Sequence, residues 1–276
     1  MISSFIYTGN TAVHYLSAGN GPHILVCFHG FGEHARTFEL LADHLPAHTI
    51  IAFDLPFHGQ TNWDDEIPFT IEELLAIVTL CPEIQEKNFG LLGYSMGGRI
   101  ALSIFEAVPS KIESIILLAP DGLVVNPWYW FATQTITGKK LFHYTMHHPA
   151  WFLGLLNFSK RLRLVNQSVW KFVQSQVGSK EMREKIYAVW TAFRKFSPDL
   201  KVIRAQILLH STPVFMLFGQ YDRIIKPGKG MAFVKSIQPF GKIRIIESGH
   251  QLLHPRNINA VTEAITACYR EKPTLS

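Results

Sequence analysis

Residues 88–106, NFGLLGYSMGGRIALSIFE, constrain the fold of this chain more than any other stretch. An apolar run ends at Gly93, the turn GYSMG follows, and apolar residues then recur at helical spacing over Ile100–Phe105. The pattern predicts a strand, a sharp turn and a helix. In such a G-x-S-x-G turn the serine backbone is strained, and glycines flank it because a Cβ there would clash. We therefore expect the Ser95 hydroxyl to lie above the edge of a sheet, over the N-terminus of a helix.

The rest of the chain alternates between predicted strands and amphipathic helices. A hairpin is predicted over residues 5–17, and helices are predicted near 38–45, over 69–80 and over 257–269. Further strands are predicted at His23–Phe28, Thr49–Phe53, Ser114–Leu118, Val214–Phe218 and Lys242–Ile246. Strands that alternate with helices indicate an α/β fold, in which helices cover both faces of a mostly parallel sheet.

An insertion of about eighty residues, 123–205, interrupts this alternation with helical periodicity and many aromatic residues. It carries thirteen lysine and arginine residues against three acidic ones, whereas the rest of the chain is net acidic. We therefore expect a core of residues 1–122 and 206–276 and a helical cap, or lid, of residues 123–205. Its aromatic residues either pack its helices or line an apolar pocket, and its basic residues either form a solvated face or attract anions.

Composition restricts the class of protein. With 47% hydrophobic and 17% charged residues, the 276-residue chain can bury a large core. No stretch is apolar enough for a membrane span, and the first twenty residues do not resemble a secretory signal. Three cysteines, far apart in sequence, favour free thiols and a cytoplasmic location. We expect no metal, no cofactor, no nucleic acid and no stable membrane insertion, and the sequence does not indicate an oligomeric state.

Three predicted loops carry the residue types of a nucleophilic site. A serine hydroxyl becomes a strong nucleophile when a histidine held by a carboxylate takes its proton. Asp222 and His250 each follow a predicted strand, so the order along the chain is Ser95, Asp222, His250, as expected for this turn. Asp121, one strand earlier, is the rival for the carboxylate.

The loop HGFG, residues 29–32, supplies a glycine-rich turn beside this site. We expect the backbone N–H groups of Phe31 and Met96 to form an oxyanion hole. His29 is expected to hold this loop by hydrogen bonds, and His58 and Asp54 are expected to do the same in the neighbouring loop.

The loop sequences HGFG, DLPFHG, GYSMGG, GQYD and SGH together resemble the successive loops of α/β-hydrolase fold proteins, along nearly the whole chain. The resemblance implies a nucleophile, a base, an orienting acid and two oxyanion-hole amides at Ser95, His250, Asp222, Phe31 and Met96. It also implies that residues 123–205 form the cap. The sequence departs from the family's pattern at Phe57, where many members of the family have glycine.

The resemblance is weak for the substrate. The stretch GYSMGGRIAL is also similar to the menaquinone-pathway lyases that form a cyclohexadiene carboxylate (the SHCHC synthases), and Arg99 matches their arginine. Three functions are therefore weighed. The first is a serine hydrolase that cleaves a carboxylic ester or related acyl substrate through an acyl-enzyme on Ser95. The second is a C–C bond hydrolase or lyase for a small anionic substrate, and the third is a ligand-binding protein with a slow triad.

Overall fold

The computed structural model describes residues 1–64, 68–124, 126–161, 167, 170 and 177–270. Its strands are β1 (Ile2–Thr8), β2 (Thr11–Ala18), β3 (His23–Phe28), β4 (His48–Phe53), β5 (Phe89–Tyr94), β6 (Ile112–Leu118), β7 (Val214–Gly219) and β8 (Gly241–Ile246). Its α-helices are α1 (Glu39–Ala42), α2 (Ile71–Leu80), α3 (Met96–Ala107), α4 (Pro127–Gln134), α5 (Ile136–His147), α6 (Ala150–Arg161), α7 (Lys180–Ala192), α8 (Leu200–His210), α9 (Gly228–Lys235) and α10 (Ile258–Arg270).

The eight strands form one sheet in the order β1-β2-β4-β3-β5-β6-β7-β8. The β1–β2 hairpin joins β4 in antiparallel register, and every pair from β4 to β8 is parallel. Because neighbouring parallel strands point the same way, the loops that follow β3, β5, β7 and β8 emerge at one edge of the sheet. The predicted α/β class with a mostly parallel eight-stranded sheet is confirmed.

The central strands are buried because both of their faces are covered. Leu25 and Cys27 of β3 belong to the same apolar cluster as Val261 and Ile265 of α10. Helix α3 packs against β3, β5 and β6, and ten of its residues are buried. Continuous apolar sequence is what a strand needs when neither of its faces meets water.

The chain divides into two compact units. The first comprises Met1–Asp65, Thr70–Val124 and Phe196–Ser276 and holds the whole sheet, and the second comprises Glu66–Phe69 and Val125–Lys195. In the second unit, α4 packs against α5 and both pack against α7, with Tyr129 and Phe142 against the Trp190 ring. Helix α8 begins within the predicted insertion, which ends at residue 205, and the whole helix groups with the first unit.

Candidate active site

The turn after β5 has the strained backbone that its sequence predicts. Ser95 lies at φ 51° and ψ −116°, outside the regions that residues with a Cβ ordinarily adopt. The Ser95 N–H donates to the Leu118 carbonyl at 3.0 Å, and the Ser95 carbonyl accepts from the Gly98 N–H at 2.9 Å. Such strain persists where the surrounding structure over-determines it, as β6 and α3 do here.

The glycines of this turn are required by close packing. A Cβ on Gly97 would overlap the carbonyl group of Phe28 at the end of β3. A Cβ on Gly93 would lie 2.5 Å from the Gly97 carbonyl oxygen and 2.6 Å from the Cα of Gly98. The prediction that neither position accepts a side chain is therefore confirmed by the geometry.

Ser95, His250 and Asp222 meet in one chain of hydrogen bonds. His250 Nε2 lies 3.0 Å from Ser95 Oγ, and His250 Nδ1 lies 2.7 Å from Asp222 Oδ2. Because a carboxylate only accepts hydrogen bonds, Nδ1–H is the donor to Asp222, which leaves Nε2 free to accept the Ser95 hydroxyl proton. Oδ1 of Asp222 accepts the N–H groups of Ile224 and Ile225, at 2.7 and 2.9 Å, so both of its oxygens are occupied.

Backbone contacts hold the Asp222 and His250 loops together. The Gln220 N–H donates to the Ile246 carbonyl, and the Tyr221 N–H donates to the Ser248 carbonyl at 2.9 Å. Asn257 ties the His250 loop down by donating to Ser248 Oγ at 3.0 Å. These contacts orient the His250 ring before any ligand binds.

The rival carboxylate, Asp121, has other partners. Its Oδ2 lies 3.5 Å from Arg99 Nε, and its Oδ1 accepts the Gly122 N–H. The structure thus brings Asp222 to His250 and pairs Asp121 with a buried arginine of α3. The sequence did not reveal the pair between Arg99 and Asp121. Its only signal was opposite charge on residues that follow two neighbouring strands.

The loop after β3 lies against Ser95. A Cβ on Gly30 would be 3.1 Å from the Ser95 Cβ, so the backbone of this loop borders the serine. The N–H groups of Phe31 and Met96 each belong to a chain segment next to Ser95. Within the described part of the chain, no hydrogen bond to the Phe31 N–H is found.

Hydrogen bonds from two histidines join this loop to the loop after β4. His29 Nδ1 donates to the Gly30 carbonyl and its Nε2 accepts the Leu55 N–H, while His58 Nε2 accepts the Gly32 N–H at 3.2 Å. Burial, with His58 nearby, lowers the pKa of His29 to about 3, so the ring stays neutral and keeps both hydrogen bonds. The predicted structural role of these two histidines is confirmed.

Asp54 anchors the same pair of loops. Its carboxylate accepts the N–H groups of Ala35 and Gln60, at 2.6 and 2.8 Å, and lies 2.7 Å from His14 Nδ1. Burial raises the pKa of Asp54, but these hydrogen bonds outweigh burial and hold that pKa below its usual value. Asp54 is therefore ionised and structural, as predicted.

A family model described as alpha/beta hydrolase fold matches residues 23–255, which include every loop described above. The chain belongs to this family. The α/β-hydrolase relatives include YugF of Bacillus subtilis, a protein named as an uncharacterized hydrolase, at 27% identity over 77% of each chain. A second Bacillus subtilis protein, provisionally named 2-succinyl-6-hydroxy-2,4-cyclohexadiene-1-carboxylate synthase, is 28% identical over 40% of this chain and 42% of its own length.

Solved α/β-hydrolase structures share the fold over almost the whole chain. An esterase of Thermogutta terrifontis has a TM-score of 0.67 and 18% identity, and the match covers 99% of this chain and 100% of that one. For several curated relatives, however, the chain spans less than half of their length. The family and the fold follow from these likenesses, whereas the activity has to be argued from the site.

Phe57, where the sequence departs from the family's loop pattern, has an unusual backbone conformation. It lies at φ 66°, in the left-handed region that favours glycine. Glycine would meet this backbone requirement without strain, and this α/β-hydrolase meets it with a half-buried phenylalanine.

A serine, a histidine and an aspartate lie in contact at a second place in this α/β-hydrolase, at the β1 edge of the sheet. Ser3 Oγ lies 2.9 Å from His14 Nε2, and His14 Nδ1 contacts Asp54. Ser3, however, lies in strand β1, where it pairs in register with Leu16 of β2, and no helix N-terminus follows it. The hydrogen-bond pattern alone therefore does not distinguish a nucleophile, whereas the turn at Ser95 does.

Two further findings concern the whole chain. Cys27, Cys81 and Cys268 are all buried and form no disulfide. Among the helices that the structure describes, none has both the length and the apolar character needed to cross a bilayer.

Proposed function

We propose that this protein is a serine hydrolase that cleaves a carboxylic ester or a related acyl compound through an acyl-enzyme on Ser95. The single observation that carries the proposal is the hydrogen-bonded chain from Ser95 through His250 to Asp222, built on the strained turn after β5. A partly exposed hydroxyl on such a turn, next to an oriented imidazole, is the arrangement that acyl transfer requires.

The geometry supports a two-step reaction. His250 Nε2 takes the Ser95 proton as Oγ bonds to the substrate carbonyl carbon, and the proton then passes to the leaving alcohol as its C–O bond breaks. Water, deprotonated by the same nitrogen, attacks the acyl-enzyme and releases the carboxylic acid and free Ser95. Asp222 keeps Nδ1 protonated and stabilises the imidazolium that forms in both steps.

The Phe31 and Met96 amides are proposed as the oxyanion hole. Met96 begins α3, so its N–H has no partner within the helix and shares the positive end of the helix dipole. The Phe31 N–H belongs to the loop that borders Ser95 and that His58 fixes through Gly32. Two such donors stabilise the oxyanion by roughly 3 kcal/mol each.

A panel of p-nitrophenyl esters of increasing acyl length tests the proposal. We expect turnover by the wild type and a loss of about 10³-fold or more in Ser95→Ala and in His250→Ala. Ser3→Ala is the matched control, because Ser3 also contacts a histidine that contacts an aspartate, and it should keep full activity. Undiminished turnover in Ser95→Ala would refute the proposal, and binding of esters without turnover would favour the ligand-binding alternative.

A second candidate is a C–C bond hydrolase or lyase for a small anionic substrate. It is favoured by Arg99, a buried cation one helical turn after Ser95, in the stretch that resembles the SHCHC synthases. Asp121 already pairs with Arg99, which weakens the attraction for a second anion. If this candidate is right, Arg99→Gln should raise KM about tenfold or more for an anionic acyl substrate and leave KM for a neutral one unchanged.

We also propose that residues 123–205 act as a lid over Ser95. The order of the chain supports this, because the insertion follows β6 at the strand end from which the Ser95 turn also emerges. Its basic residues should then raise kcat/KM for anionic substrates in low salt only, and Lys139→Ala with Lys140→Ala should weaken that salt dependence. A structure of the acylated protein with the insertion far from Ser95 would contradict the lid.

A further inference from the structure

Helix α6 carries an apolar stripe on its outer side. Trp151, Leu155 and Phe158 are spaced by four and three residues and therefore lie on one face of the helix. They are 41%, 54% and 58% exposed. Gly154 lies on the same face, and a Cβ placed on it would meet no atom within 4 Å. The stripe is open along two turns of the helix.

Helix α6 buries much less of its surface than an amphipathic helix in a folded core does. Within α6 only Leu156 is buried, whereas the core helix α3 buries ten of its twelve residues. Single exposed apolar side chains are ordinary, but several on successive turns of one helix mark a contact surface. Helices α4 and α5 of the same unit expose further aromatic rings, at Trp128, Trp130 and Tyr144.

The charge of the second unit indicates which kind of partner the α6 stripe binds. Residues 125–195 contain eleven lysine and arginine residues and only two glutamates. Arg161 lies three residues after Phe158 and continues the exposed face, while Lys160 lies 3.5 Å from the centre of the Trp170 ring. Aromatic and aliphatic side chains on one helical face, with basic residues beside them, are the composition that binds an anionic lipid surface.

We propose that the α6 face of Trp151, Leu155, Phe158 and Arg161 docks this protein onto anionic membranes. The apolar side chains enter the boundary between headgroups and acyl chains, and the basic residues of the unit contact the lipid phosphates. The helix lies in the plane of the interface and does not cross the bilayer. A second copy of the chain, which would carry the same positive charge, fits this face less well.

Co-sedimentation with vesicles tests the proposal on the full chain. We expect binding to equimolar phosphatidylglycerol and phosphatidylcholine in low salt, weak binding to phosphatidylcholine alone, and loss of binding in about 0.5 M salt. Leu155→Glu with Phe158→Glu should lower binding to the anionic vesicles at least about tenfold. Leu209→Glu is the matched control, since Leu209 is 77% exposed on α8 of the other unit, and it should bind like the wild type.

Thermal unfolding and light scattering of the same variants complete the test. The double variant should unfold close to the wild-type temperature and have the wild-type mass, because the two residues it replaces are more than half exposed in the folded chain. A Tm several degrees lower would mean that another part of this chain covers the stripe, and loss of a dimer would mean that a second copy does. Either result, or no binding of the wild type to anionic vesicles in low salt, would overturn the proposal. None of these outcomes depends on Ser95.

Discussion

His250 Nδ1 lies 2.7 Å from Asp222 Oδ2, and the Asp222 side chain has no exposed surface. Asp121, the other candidate, instead faces Arg99 at 3.5 Å. Asp222→Asn should therefore lower kcat by roughly 10³- to 10⁴-fold, because the amide no longer fixes the His250 tautomer or stabilises its charge. Asp121→Asn should lower kcat by less than about threefold. Steady-state kinetics with one ester measures both, and the reverse ranking would transfer the acid role to Asp121.

The close approach of α3 to β3 gives a prediction about stability. Gly97→Ala would force a Cβ into the Phe28 carbonyl, so we expect it to lower the free energy of unfolding by about 3 kcal/mol or more. Gly154→Ala, in the interior of α6 with nothing near its Cβ, should raise that free energy by up to about 1 kcal/mol. Urea denaturation of both variants measures the contrast. Equal stability of Gly97→Ala and the wild type would show that the turn is looser than its geometry indicates.

Because His48 is buried, we predict that the free energy of unfolding falls in acid. Within the described residues neither of its ring nitrogens has a hydrogen-bond partner, and the rings of His23 and Tyr269 lie beside it. Burial, followed by the influence of His23, lowers the pKa of His48 to about 4. The unfolded chain, with a pKa near 6.5, then binds the extra proton, so stability is full above about pH 6.5 and declines toward about pH 4.

His48→Phe isolates this effect, because His29, whose lowered pKa acts in the same direction, stays in both proteins. Between about pH 8 and pH 5 the wild type should lose about 2 kcal/mol more unfolding free energy than the variant. Urea denaturation at the two pH values measures this difference. Parallel losses in the two proteins would show that His48 is protonated as easily in the folded state as in the unfolded one.

The sequence predicted correctly those strands and helices that are stabilised mainly by residues close together in the chain. Strand β3 has the predicted bounds because its apolar run is continuous. Helix α2 lies within the predicted range 69–80 and begins at a capping box, in which Thr70 and Glu73 each accept the other's N–H. The helix predicted near residues 38–45 is instead a 3-10 turn, Ala35–Phe38, followed by the single turn α1. The Asp54 carboxylate binds the Ala35 N–H there, a contact across nineteen residues that periodicity does not show.

Residue types and strand ends were enough to select Ser95, Asp222 and His250, because the parallel order of the strands brings their loops to one edge. They favoured Asp222 and left Asp121 as a rival, because the final choice depends on how the β7 and β8 loops bond to each other through Tyr221 and Ser248. The array of Ser3, His14 and Asp54 was missed because it joins the β1–β2 hairpin to the loop after β4, forty residues further along the chain, and has no local motif.

Labelling by a fluorophosphonate probe tests the central claim most directly, because only a serine activated by its neighbours reacts with such a probe at an appreciable rate. We predict one probe per chain, located by peptide mass mapping on Ser95. Labelling should be absent in Ser95→Ala, strongly slowed in His250→Ala and unchanged in Ser3→Ala. Labelling that persists in Ser95→Ala, or that maps to Ser3, would contradict the account.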